Sequence, residues 1–374
     1  HTALGNSRYG VYINGAPNNT IGGTALGTRN VISDNEEGVL VYRAHGNLIQ
    51  GNYIGTDANG DGALPNFLSG ALILDAWNNT VGGTTPEARN VISGNRLYGV
   101  HIYEYDAVYD TYGNVVAANY IGTNASGTGE LGNGTGVKIV NAWDNTVGGT
   151  TPEARNVISG NQFYGVYVTG ATATDNTVQG NYIGTHLSGT VALGNATDGV
   201  FIAGGAHGNR VGTDADGQND EAERNVISGN SRHGVHITGS GTGGNVVAGN
   251  YIGLGAGGNP LGNIQNGVYV ANASDNTIGG VEPGKGNVIG NCGGHGVVVV
   301  GATALGNSIR GNAIRDNARL GIDLEGGSED AFGVTANDPG DADVGANGLQ
   351  NFPVIDGALA SANTEVWGSL SLSL

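Results

Sequence analysis

Apolar and polar positions alternate along this chain in short bursts, and the bursts recur. Residues 165–199 show the unit most fully. Gly165-Val-Tyr-Val168, Asn176-Thr-Val-Gln-Gly180 and Asn181-Tyr-Ile-Gly184 each alternate apolar with polar or small residues. That is the period-two mark of a strand with one buried face. Gly and Asn lie between the bursts, and both tolerate the left-handed backbone of tight turns. Three strands and three turns that return to Gly-Val at 199–200 make one coil of a solenoid. Helical periodicity is absent throughout.

The Gly-Val-x-Ile element, or a close variant, begins at Gly10, Gly38, Gly70, Gly99, Gly136, Gly165, Gly199, Gly234, Gly267, Gly296 and Gly321. Two coil forms alternate between these marks. One carries Asn-Thr-Ile/Val-Gly-Gly followed by Asn-Val-Ile-Ser, at 19–33, 79–93 and 145–159. The other carries Asn-x-Val/Ile-x-Gly-Asn-Tyr-Ile-Gly at 47–55, 176–184 and 245–253, and at 114–122 with Ala118 in place of Gly. The outcome is a double repeat of roughly 60–70 residues.

The predicted fold is all-β: a right-handed parallel β-helix of about ten to eleven coils over residues 1–325. Val11, Val39, Val100, Val137, Val166, Val200, Val235 and Val268 would stack inside it. Residues 326–374 read as a loop-rich cap over the last coil and the start of a following segment. Ala3-Leu-Gly-Asn6 before Gly10 matches Ala192-Leu-Gly-Asn195 before Gly199. The chain is therefore expected to open within a coil and to be part of a larger protein.

Charged residues are only 12% of the 374, and the net charge is −18. Asn, Thr, Ser and Gly must then supply most of the polar exterior. The acidic balance argues against nucleic acid and anionic membrane surfaces. No apolar run is long enough for a membrane span. A single cysteine, Cys292, leaves no intrachain disulfide. The expected location is extracellular or the cell surface.

Asn156-Val-Ile-Ser-Gly-Asn161 and Gly180-Asn-Tyr-Ile-Gly-Thr185 are repeated blocks, and the chain closes with Asn337-Asp-Pro-Gly-Asp-Ala-Asp343 and Leu349-Gln-Asn-Phe-Pro353. These motifs resemble the right-handed parallel β-helix repeat proteins of bacterial secreted and cell-surface proteins, over nearly the whole chain. The resemblance implies the fold and no fixed chemistry. Lyases, epimerases, tailspikes and adhesins share such scaffolds, and none of their catalytic motifs is intact here.

Candidate chemistry follows from the pleat. The third residue of each Gly-Val-x-Ile strand should face outward: Tyr12, Leu40, Leu72, His101, Lys138, Tyr167, Phe201, His236, Tyr269, Val298 and Asp323. A second outward row, two residues on, includes Tyr42 and Tyr103. Trp77 and Trp143 open the following turns. Flat rings on a rigid surface suit the C–H faces of sugars. Tyr42, Trp77, His101, Tyr103, Lys138, Trp143 and Tyr167 are accordingly the candidate glycan-binding residues, with residues 104–112 as a wall. The simpler account is that aromatic residues cover a β face, where their propensity is high.

A lyase would need a base and a cation beside a carboxylate. Lys138, His101, Tyr103 and Arg43 are the candidates, but no pairing is visible in the sequence. Arg29, Arg89, Arg155 and Arg224 each precede Asn-Val-Ile, a recurrence that marks a structural contact. Asp57, Asn59 and Asp61, then Asp214 and Asp216, then Asp338, Asp341 and Asp343 are oxygen-rich loops that offer ligands to Ca²⁺. Solvated acidic turns are the simpler reading of them. Two functions stand at this point. One is a non-catalytic stalk or adhesive module that binds polysaccharide. The other is a lyase or epimerase on uronate polymers.

Overall fold

The structure, a computed structural model, describes residues 5–330, 334–337 and 344–350, and the backbone of the strands Val354–Leu359 and Glu365–Ser369. It is the right-handed parallel β-helix that the repeats predict. Three parallel sheets of eleven, ten and ten strands run the length of the rod, and each strand pairs with its equivalents one coil before and after. The first sheet holds the Gly-Val-x-Ile strands, from Tyr9–Asn14 to Ile322–Glu325. The second runs from Thr20–Gly22 to Ser308–Arg310, and the third from Val31–Ile32 to Ala313–Arg315.

Inside, like sits on like. Val100 pairs with Ala71 and Val137, and Ile102 with Ile73 and Ile139. Ile54, Ile92, Ile121, Ile158, Ile183 and Ile227 form another column, each fully buried. Repeating one side chain at one position lets successive coils pack without voids.

The corners carry the second source of order. Three Asn ladders run along the rod, one at each turn between sheets. Asn47, Asn79, Asn114, Asn145 and Asn176 belong to the first. Asn52, Asn90, Asn119, Asn156 and Asn181 belong to the second. Asn66, Asn95, Asn133, Asn161 and Asn195 belong to the third. A typical Oδ1 accepts both the backbone N–H and the Nδ2–H of the preceding rung, at 2.9–3.0 Å for Asn95 on Asn133. Turn amides that would otherwise be buried without partners are thereby satisfied. Cys292 takes the place of an Asn in the third ladder, between Asn263 and Asn317.

The double repeat has a structural cause. On alternate coils the third strand runs into a loop, at 57–62, 124–129, 186–191 and 255–259. The loops hydrogen-bond to one another across the intervening coil: Ala125 N–H to Gly60 O, Leu187 N–H to Gly127 O, and Ala256 N–H to Gly189 O, at 2.8–3.0 Å. Beneath them Tyr53, Val91, Tyr120, Val157, Tyr182 and Val226 form an outer apolar stripe. Arg29, Arg89, Arg155 and Arg224 lie over Tyr53, Tyr120, Tyr182 and Tyr251, 4.0–4.4 Å from the ring centroids. Each also donates its Nε–H to a turn carbonyl. These arginines hold the coils together, as their recurrence implied.

At the far end, a short 3-10 turn at Ala346–Leu349 lies against the last coils. Asn347 Oδ1 accepts the backbone N–H of Asn307 at 3.0 Å and so caps the first ladder.

Candidate functional site

The outer face of the first sheet is where chemistry-bearing side chains gather, and the register shows why. His101 pairs with Lys138, Lys138 with Tyr167, Tyr167 with Phe201, Phe201 with His236, and His236 with Tyr269. Parallel pairing places them at ~4.8 Å steps on one line. The expected outward row is therefore real, but a second row packs against it. The residue before each repeat glycine also faces out: Tyr98, Thr135, Tyr164, Asp198, His233, Asn266 and His295. The glycine itself turns inward. A Cβ at Gly99 would stand 2.8 Å from Ile121 Cγ2 and 2.9 Å from Asn133 Nδ2, so no other residue fits there.

The two rows interlock into one layer of rings. Tyr98 contacts His101 at 4.5 Å between centroids, Tyr164 stacks on Phe201 at 4.6 Å, and His233 stacks on Tyr269 at 4.5 Å. Phe201 and Tyr269 flank His236 at 4.8 and 4.9 Å. Lys138 Nζ lies between the Tyr98 and Tyr167 rings, 4.8 and 5.1 Å from their centroids, and donates to the Tyr98 hydroxyl at 3.2 Å.

The remaining sequence candidates sit as follows. His101 is wedged between Tyr98 and Tyr103, with its Nε2 buried and unpartnered. Burial, then the nearby Lys138 charge, pushes its pKa down to about 3, so it is neutral near pH 7. Trp77 and Trp143 do not share the face. They occupy the corner between the first and second sheets, where Trp77 stacks on His45 and Trp143 on Tyr112. Arg43 is engaged by the 104–112 insertion: its Nη2 meets Asp106 at 2.9 Å, and its guanidinium covers Tyr109 and Tyr42 at 3.8 and 4.7 Å. The insertion thus folds over Arg43 and Tyr42, with Tyr105 and Val108 exposed.

The acidic loops are closed by their own side-chain and backbone bonds. Asp57 Oδ1 accepts the N–H groups of Asn59 and Asp61, both at 3.1 Å. These bonds, that of Asp61 foremost, lower its pKa. Asn124, His186 and Gly255 hold the equivalent place in the sister loops, each closed by the same backbone bond. Asp214, Asp216 and Asp220 approach one another on the surface. Asp338, Asp341 and Asp343 lie outside the described residues.

One group of residues was not anticipated as a site. Asp198, fully buried, accepts from His236 Nδ1 at 3.1 Å and from the His233 backbone N–H at 3.0 Å, and Arg232 Nη1 lies 4.0 Å away. Burial raises the Asp198 pKa. The bond and charge of His236, with the His233 amide, outweigh it and hold the carboxyl below its usual range. Burial takes His233 down to about 4, against the pull of Asp198. Tyr164, raised first by burial and then by the Asp198 charge, stays protonated. A second pair, His295 Nε2 and Asp323 Oδ2 at 3.4 Å, lies three coils on. The signal for Asp198, His233 and His295 was present as the residue before each repeat glycine, a row that the Gly-Val-x-Ile reading begins one residue too late to include.

With the geometry in place, likenesses to known proteins can be set beside it. The family model described as periplasmic copper-binding protein (NosD) matches residues 1–147. No curated protein matches the sequence. Among solved structures, a variant of the periplasmic alginate epimerase AlgG is 15% identical with a TM-score of 0.49, covering 79% of this chain. The present chain spans 57% of that protein's length. The A-module of the mannuronan C-5 epimerase AlgE6 of Azotobacter vinelandii is 13% identical, covering 85% of each chain with a TM-score of 0.31. PfbA, a surface adhesin of Streptococcus pneumoniae, is 12% identical, with 92% of this chain and 82% of that one covered and a TM-score of 0.30.

Proposed function

We propose that this chain is a rigid β-helical module of an exported protein that binds polysaccharide along the outer face of its first sheet, between Tyr98 and Tyr269. The observation that carries this reading is the uninterrupted ring layer Tyr164, Tyr167, Phe201, His236, His233 and Tyr269, fixed coil by coil by backbone pairing. Rings already held in place lose little entropy when an extended polymer lies along them. Tyrosine hydroxyls and Lys138 add polar handles beside the apolar ring faces. An exported location agrees with the periplasmic description of the NosD family. Among the described residues no helix is long and apolar enough to cross a membrane.

Copper does not fit the segment that resembles NosD. Among residues 5–147 no three His, Cys, Asp or Glu groups converge. His45 stacks on Trp77, His101 is wedged between rings, and the chain has no methionine to act as a soft ligand.

The test is binding to immobilised polysaccharides. Tyr167→Ala and Tyr269→Ala are each expected to weaken binding about fivefold, in line with the loss of roughly 1 kcal/mol of ring contact. Trp77→Ala and Trp143→Ala, on the corner, should change it less. Binding that survives Tyr98→Ala, Tyr167→Ala and Tyr269→Ala together, with the fold intact, would place the partner elsewhere.

A further inference from the structure

Asp198 and His236 form an arrangement that binding a sugar does not require. A carboxylate without solvent exposure is costly unless it is paired, and Asp198 is matched to one imidazole nitrogen. With Asp198 ionised, its bond to Nδ1 places the hydrogen there and leaves Nε2 as the nitrogen with a free lone pair. Among the described residues no protein group donates to that Nε2. His236 also stands in the outward row, one coil from the C-terminal end of the proposed binding face, between Phe201 and Tyr269. An imidazole whose tautomer and orientation are fixed by a buried carboxylate, with its second nitrogen free, is the form of a positioned general base.

Arg232 supplies the matching charge. Its side chain is 43% exposed at the edge of the same cluster, beside Asp198. A cation there suits a substrate that is anionic next to the reacting atom. In most sugar polymers the ring hydrogens are not acidic. The hydrogen on the carbon that bears a carboxylate is the exception, because the electron pair left behind can move into the carboxyl group.

We infer that Asp198 and His236 are an acid–base centre that removes the proton next to the carboxylate of a uronate unit, an activity that rests on the polysaccharide-binding reading. His236 Nε2 gains the proton as the C–H bond breaks. The electron pair enters the carboxyl group, and Arg232 offsets the added charge. Return of a proton from the imidazolium restores the carbon. Asp198 is a positioning residue in this step.

The same cluster is poorly suited to a metal ion, although its three ligand groups lie within 4.8 Å of one another. His233 Nδ1 accepts the Asn266 N–H at 3.3 Å, which puts its own hydrogen on Nε2 and leaves no lone pair to offer. His236 Nδ1 is held by Asp198.

The test uses the intact chain in D₂O with alginate, polygalacturonate and hyaluronate. The readout is deuterium at C5 of the uronate units by NMR. Binding of the same polymers is measured on the same preparations. The expected result is deuterium incorporation with at least one polymer, reduced at least a hundredfold in His236→Gln when measured at saturating polymer, a loss far larger than any change in that variant's Kd. Asp198→Asn should lower the turnover rate and alter its pH dependence while Kd stays unchanged, a split that a merely structural role would not give. If Asp198→Asn does not fold, His236→Gln carries the test. Wild-type protein that binds a polymer without incorporating deuterium overturns this inference and leaves the binding reading standing. Protein that binds none of the three and incorporates no deuterium overturns it as well, and the neutral polysaccharides of the binding assay then decide the binding reading alone. Deuterium that persists in His236→Gln also overturns it.

Discussion

Cys292 is the one rung of the third ladder that is not Asn. Its thiol, 4.0 Å from Asn263 Nδ2, is a weak acceptor, and burial raises its pKa. Cys292→Asn should replace this weak acceptor with an amide oxygen for Asn263 and raise stability by about 1 kcal/mol, read as a higher Tm. The reverse experiment is Asn133→Ala. It removes the acceptor of the Asn95 N–H and the donor to Ile92 O, and should cost roughly 2–4 kcal/mol by urea unfolding. The Asn rungs stand in the sequence once per coil, between the bursts where the repeats place the turns. Asp198 was not recognised as chemical, because before a glycine it reads as an ordinary turn residue. Only the register shows that the residue before that glycine faces outward and meets a histidine 38 positions away.

Among the elements, the four stacked loops explain what a local reading of residues 57–62 missed. Asp57-Ala-Asn-Gly-Asp-Gly62 looks like half of a calcium loop, yet its shape is shared by sister loops that have Asn, His or Gly in place of Asp57. Neighbouring loops set the conformation, so Tm should be the same in EDTA and in millimolar calcium. A rise with calcium would instead assign an ion to the acidic loops through mass action on the folded state. Gly127 is the more sensitive position. Its φ is +67°, and a Cβ there would stand 2.9 Å from the Tyr120 ring and 3.1 Å from Leu187 Cβ. Gly127→Val should lower stability by roughly 2 kcal/mol or more, with proteolysis appearing first in loops 124–129 and 186–191. The strands themselves were readable from alternation alone, since each is short and one-sided.

For the whole molecule, buried titratable groups on the first sheet make stability depend on pH. His101 and His233 have folded pKa values of about 3 and about 4, against 6.5 in the unfolded chain. As pH falls below about 6.5 the unfolded chain takes up protons that the fold refuses, so stability falls across that window. Between pH 6.5 and 4.5 each histidine should remove about 2–3 kcal/mol. Glu37 acts in the opposite sense. Burial raises it from 4.5 to about 7, so its contribution is present below about 4.5 and is lost as pH rises toward 7. Urea titrations at the two pH values should show a net loss on acidification, smaller in His101→Phe. An unchanged pH dependence in that variant would disprove the burial argument.

The Asn ladders also give the rod an electrical direction. From rung to rung within a ladder, Nδ2 donates to the Oδ1 of the following coil, and its second hydrogen goes to a backbone carbonyl. Backbone bonds of the parallel sheets run both ways between coils, as with Leu48 N–H to Asn19 O and Asn18 N–H to His45 O, so they largely cancel. The side-chain amides do not cancel. Three columns of aligned dipoles polarise one another in a low-dielectric interior, with the positive pole at the C-terminal end. Solutions of the protein should therefore align in a pulsed electric field and become birefringent with the sign of a permanent axial moment. A polyanion lying on the outer face would meet a sloping potential, and its two ends would no longer be equivalent.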